Sequence, residues 1–260
     1  MNKILRFILS GYIFERHTII DALSKANEFE ATSKVFDLPK IAIYTVSTGK
    51  YDSLREPVYI DKGFDYFAFS SSTITEDSVW HQIPLGEFCQ DMTSLEQARF
   101  VKTHPHLYFQ DYDISIFIDG NIQILRDIRP LIYTMIDKEK FIAIHRHQSR
   151  DCLYHEGRII WAQGRAKFGD IFKQLWHYKK EGFPRHYGLF ETNVIIRYHN
   201  NPLCKKVMET WWEQIHTYTK RDQLSFIYSL WKNGLSCSDV LTLGNNSRNS
   251  TFFSVVNHIK

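Results

Sequence analysis

The stretch "DYDISIFIDGNIQIL", residues 111–125, decides how the chain is to be read. Ile114, Ile116, Phe117 and Ile118 make a β-branched and aromatic run bounded by polar residues, the pattern of a buried strand, and Asp119-Gly120 directly after it is a turn signal. In an α/β protein the loops at the carboxyl ends of strands are where ligands are met. Asp119 at such an exit has two meanings: its side chain closes a turn, or it holds a ligand.

Working outward, residues 41–46 after the Leu38-Pro39 breaker read as an earlier buried strand. The loop behind it, Ser47-Thr48-Gly49-Lys50-Tyr51-Asp52, offers hydroxyls, a glycine and an amine, which suits a nucleotide but is too poor in glycine for a phosphate-cradling P-loop. A second strand at 65–69 ends in Ser70-Ser71-Ser72. Residues 93–107 read as a helix that sets Arg99 and Lys102 on one face before Pro105 interrupts it. Then follow a helix at 126–138, a strand at 141–144 that leaves into His145-Arg146-His147, and one long helical stretch at 150–180. A strand at 192–197, a Trp-rich helix from Pro202 and a last helix from Arg221, with Asp222 near its start, complete the pattern.

Strands alternating with helices predict an α/β fold with helices on both faces of the sheet. A chain of 260 residues, 43% hydrophobic and 15% aromatic, has the material for a sizeable core. No linker divides it, so one domain at 39–260 is expected, preceded by a helical extension at 1–38. A net charge of +3 is too mild for a nucleic-acid binder. Residues 145–185 nevertheless carry nine Lys or Arg against four Asp or Glu, which favours an anionic ligand. Cys89, Cys152, Cys204 and Cys237 lack any framework spacing and read as reduced thiols, in keeping with a cytoplasmic protein. The opening "MNKILRFILSGYIF" is too short to span a bilayer, but as an interfacial helix it would lie on a membrane surface or against a partner subunit. Trp176, Trp211, Trp212 and Trp231 at helical spacings read as core, whereas Trp161 and Tyr187 have neighbours that suit a cleft.

The ordered motifs "YTVSTGKYD", "DYFAFSSS", "ARFVKTHPHLYF", "SIFIDGN", "AIHRHQSRDCLYHE", "ETNVIIRYH" and "RDQLSF" resemble the mucilage-related glycosyltransferase-like domain family of plants and bacterial polysaccharide loci, over residues 40–235. The resemblance implies a GT-A-like single Rossmann-type domain with a mostly parallel central sheet. It also implies transfer of a sugar from a nucleotide-sugar donor, UDP-linked, to a glycan or lipid-linked acceptor in polysaccharide or glycoconjugate biosynthesis.

The family's Asp-x-Asp motif, which holds a divalent metal and the donor diphosphate, would here be Asp119-Gly120-Asn121. An amide in place of the second carboxylate removes one unit of charge from a Mg²⁺ or Mn²⁺ site formed by Asp119 and Asn121. On this reading Thr45, Gly49, Tyr51 and Ser70 flank the nucleoside, and Arg99, Lys102 and Asp119 meet the diphosphate. His145, His147 and Glu156 line the sugar and acceptor side. Asp222 and Glu191 are the candidate catalytic carboxylates. Two rivals remain: a nucleotide-sugar-binding scaffold without turnover, and a metal-dependent hydrolase of phosphoesters or nucleotide sugars with Asp119, His145, His147 and Asp222 as ligands.

Overall fold

The computed structural model describes residues 29–49, 54–244 and 246–256. Its centre is a seven-stranded sheet in the order β3-β2-β1-β4-β7-β6-β8, formed by β1 (Ile41–Ser47), β2 (Asp65–Ser70), β3 (His81–Gln82), β4 (Ile114–Ile118), β6 (Ile142–Arg146), β7 (Phe190–Arg197) and β8 (Leu241–Thr242). A small antiparallel pair, β5 (Ile122–Ile124) with β9 (Phe253–Val255), stands apart. β1 pairs parallel with both β2 and β4, and β6 pairs parallel with β8. Only β7 runs against its neighbours, antiparallel to β4 on one side and β6 on the other. The mostly parallel α/β sheet read from the sequence is therefore the one found, with a reversed strand in its interior.

All five residues of β4 are buried, as a strand covered on both faces must be. On one side Tyr44, Phe69, Phe117, Ile144 and Ile195 pack with the helices α1 (Ser94–Thr103), α4 (Leu153–Ala162), α5 (Phe168–Lys180), α6 (Pro202–Thr217) and α7 (Phe226–Lys232). On the other, Ile43, Ile116, Ile118, Val194 and Ile196 meet Leu131, Ile132 and Met135 of α3 (Arg129–Asp137). The short α2 (Pro105–Tyr108) continues α1 after a break at His104, whose successor Pro105 has no N–H to extend the first helix.

The expected single helix at 150–180 is two, α4 and α5, parted at Gly164, where φ is 70°. The expected helix from Arg221 begins as a 3-10 turn, Asp222–Leu224, before α7. Residues 29–38, assigned from sequence to the helical extension, hold neither helix nor strand, and its other residues, 1–28, lie outside the described ones. Trp211 is fully buried as expected, whereas Trp176 is 56% exposed and is not core. Among the described residues no helix is long and apolar enough to cross a membrane.

Helix α1 is the element that carries two cations towards the sheet, and both of its ends are fixed. Thr93 and Glu96 form a reciprocal capping box at its start. At its end the buried guanidinium of Arg197, from β7, donates to Lys102 O at 2.6 Å and to the Tyr44 hydroxyl. A cation at a helix carboxyl end is favoured by the exposed carbonyls, and burial lifts the Tyr44 phenol to about 12 in spite of Arg197, so it stays neutral.

Candidate active site

The carboxyl ends of β1, β2, β4 and β6 and the amino end of reversed β7 share one edge of the sheet. In register, Ser47 pairs with Ser70 and Tyr44 with Phe117, which brings the β1 and β2 exits alongside Asp119, the residue after β4. The loop after β1 is tied down by Thr48, whose hydroxyl donates to Ser94 O at 2.6 Å, and by Ser71 N–H to Ser47 O at 3.2 Å. Gly49, at φ 74°, turns this loop across the start of α1. Ser70 closes its own turn by accepting from Ser72 N–H at 3.0 Å. Tyr51 lies outside the described residues.

β7 makes the second half of the edge. Its pairing with β6 jumps from Ile195 opposite Ile144 to Glu191 opposite His145, so residues 192–194 leave the β6 ladder while Val194 still pairs with Ile118. The bulge turns its polar groups to use. Asn193 O accepts the Asp119 N–H at 2.8 Å, and the Asn193 amide donates to the Ser247 hydroxyl at 2.6 Å. The Thr192 hydroxyl donates to Asp222 Oδ2 at 3.0 Å.

Between these elements lies an ion cluster. The fully buried Lys102 Nζ donates to Asp222 Oδ2 at 2.6 Å and reaches Asp119 Oδ1 at 3.3 Å, while Arg99 Nη1 stands 3.0 Å from the same Asp222 oxygen. Burial alone raises the pKa of Asp222, but Arg99, Lys102 and Arg221 outweigh it and hold the carboxyl well below the usual carboxylate range. A carboxylate so engaged has little affinity for a proton near neutral pH. In this cluster it is the counter-ion of Lys102 and Arg99, an arrangement that does not favour the part of general base expected of it.

Lys102, expected to meet a diphosphate, has no exposed surface and lies between Asp119 and Asp222. Asp119, with its side chain 34% exposed, is the carboxylate of this cluster that faces outward.

Glu191 is different in kind. Burial pushes its carboxyl above the usual range, against the opposing pull of Ser247 and Arg248. The Ser247 N–H and hydroxyl both donate to Oε2 at 3.0 Å, which fixes the group. A positioned carboxyl with a raised pKa is better suited to proton transfer near neutrality than Asp222 is.

The remaining candidates are deeper than the sequence suggested. Thr45 is buried inside β1, and His145 is fully buried against Phe253, with burial pushing its pKa down to about 4. His147 and Glu156 are buried in a separate network: His147 Nδ1 accepts from the Ser149 and Arg150 amides, and Arg150 pairs with Glu156. Neither lines an open sugar site. Sequence reading missed Thr192, Asn193 and Ser247, whose roles depend on a bulge, although "ETN" before a buried strand was a visible concentration of polar groups.

Asp119 and Asn121 do not fit a resident divalent cation. Asp119 supplies the one carboxylate, an ammonium stands 3.3 Å from it, and the Asn121 amide nitrogen is turned to Val256 O at 3.4 Å. Mg²⁺ and Mn²⁺ take more charged oxygen than that.

The sequence pattern described as TOD1/MUCI70, glycosyltransferase-like domain, matches residues 80–258. Among solved structures the chain is similar to the bifunctional glycosyltransferase WbbM (TM-score 0.48, 11% identity, 82% of this chain and 40% of that one). It is also similar to the galactosyltransferase LgtC in complex with donor and acceptor sugar analogs (TM-score 0.41, 11% identity, 80% and 74%). A third is the mannosyltransferase Ktr4p of S. cerevisiae (TM-score 0.42, 12% identity, 80% and 71%). The chain thus spans well under half of WbbM. No curated protein sequence matches it.

Proposed function

Because the chain belongs to the TOD1/MUCI70, glycosyltransferase-like domain family, we propose that it transfers a sugar from a nucleotide-sugar donor, UDP-linked in the first instance, to a glycan or lipid-linked acceptor. The observation that supports this reading is the outward-facing carboxylate of Asp119, its side chain 34% exposed, held at the exit of β4 by Lys102 and by the Asn193 carbonyl beside the Arg99–Asp222 pair.

In this reading the nucleoside lies over the Gly49 and Ser70 loops, and Asp119 accepts hydroxyl hydrogens of the donor. Arg99 and Arg221 meet the negative charge that develops on the diphosphate as its bond to the anomeric carbon breaks. The acceptor oxygen forms the new bond to that carbon, and Glu191 takes its proton. Lys102 and Asp222 act through others, by fixing Asp119 and Arg99.

Calorimetric and thermal-shift titration with a panel of nucleotide sugars, with and without Mn²⁺, tests the donor site on the wild type and on Asp119→Ala. The expected result is stabilisation by one donor, at least tenfold weaker binding in Asp119→Ala, and little dependence on Mn²⁺. No shift with any nucleotide or nucleotide sugar at millimolar concentration overturns the reading. Donor binding without turnover in the presence of acceptors selects the scaffold instead, and donor loss to water without an acceptor selects the hydrolase.

A further inference from the structure

Away from Asp119, the segment between β6 and α4 and the loop between α5 and β7 meet in a cluster that the transfer chemistry does not use. Cys152, directly before α4, His155 in its first turn and His186 of the loop bring one ligand atom each to within 4.8 Å of one another. Cys152 and His155 are buried and His186 is exposed. Among the described residues this is the one group of three or more His, Cys, Asp or Glu so arranged. His186 has a further partner: its Nδ1 lies 2.8 Å from Asp151 Oδ1. A carboxylate on Nδ1 keeps the proton there and leaves the lone pair of Nε2 for an ion, the arrangement that orients metal-bound imidazoles.

We propose that Cys152, His155 and His186 bind a borderline-soft divalent cation of the zinc class, with Asp151 orienting His186. One thiolate and two imidazoles favour such an ion over Mg²⁺ or Mn²⁺, which take oxygen. Metal–sulfur and metal–nitrogen bonds of about 2.3 and 2.0 Å place tetrahedral ligand atoms roughly 3.5 Å apart. The three ligand atoms, all within 4.8 Å of one another, stand near that spacing, and His186 is the exposed member through which an ion would enter. Three protein ligands leave the fourth position to water.

The loop is already tied to the same place, since Gly188 N–H donates to Asp151 O at 2.9 Å and His147 N–H to Leu189 O at 2.9 Å. A bound ion would lock it to the start of α4, next to the Glu191 end of β7. The site stands on its own residues and is independent of the proposed sugar transfer.

The full chain, stripped with chelator, is titrated with Co²⁺ and then with Zn²⁺. One equivalent of Co²⁺ is expected to give a thiolate-to-metal charge-transfer band and tetrahedral d–d bands, both abolished by one equivalent of Zn²⁺ and untouched by excess Mn²⁺. Binding should weaken at least 100-fold in Cys152→Ser and in His186→Ala, and 10- to 100-fold in Asp151→Asn. Absence of the thiolate band in the wild type overturns the proposal, as does its persistence in His186→Ala. That variant changes an exposed side chain, so it decides the matter if Cys152→Ser fails to fold.

Discussion

The ammonium of Lys102 has no contact with solvent and is tolerable only because Asp222 and Asp119 stand beside it. Lys102→Met should therefore cost about 3–5 kcal/mol, since it leaves two carboxylates facing an apolar side chain. Asp222→Asn should flatten the acid limb of the stability curve. The folded pKa of Asp222 lies below its ordinary value, so its contribution is full above about pH 4 and is lost as pH falls through the carboxylate range. Urea denaturation of the wild type and both variants between pH 2 and 7 measures both effects, and an unchanged acid limb in Asp222→Asn would remove Asp222 as the counter-ion. The sequence shows Asp119 at a strand exit and Arg99 and Lys102 on one helical face. It does not show that Lys102 is buried, because the burying partner, Asp222, is 120 residues away. For the same reason Asp222 reads as a free base when taken alone.

Whole elements are legible where their pattern is local, and obscure where it is shared. β1, β4 and β7 announce themselves as apolar runs, but a strand buried on both faces carries the same composition in either direction, so the reversal of β7 leaves no mark in the residues. The break between α4 and α5 is marked only by Gly164. The loop ahead of β7 rests on two further glycines of unequal weight. At Gly188, φ is 109° and an added Cβ would lie 2.1 Å from Cys237 Sγ; at Gly182, φ is 91° and nothing stands within 4 Å. Gly188→Ala is expected to cost about 2–4 kcal/mol, combining backbone strain with overpacking, and Gly182→Ala about 1–2 kcal/mol from strain alone. Thermal unfolding of the two variants side by side checks the ranking, and equal losses would show that the approach to Cys237 relaxes at no cost.

On the scale of the molecule, both apolar clusters span the middle of the sheet, and both include residues of β1, β2, β4, β6 and β7. The reversed strand therefore has a consequence for the chain in time. β7 is the neighbour of β4, with Ile118 opposite Val194 and Ser115 opposite Arg197. During synthesis at about 5–20 residues per second, the nearly eighty residues that separate them occupy roughly 4–15 s. Throughout that interval β4 presents an isoleucine-rich edge of unpaired amides, the kind of surface that recruits strands from other chains. A chain ended at residue 189 should be caught in that state and aggregate, and a soluble monomer on size exclusion would contradict it. Arg197, the last residue of β7, seats its guanidinium on Tyr44 and on the end of α1. Its arrival closes the open edge of β4 and ties the end of α1 to the sheet in a single step.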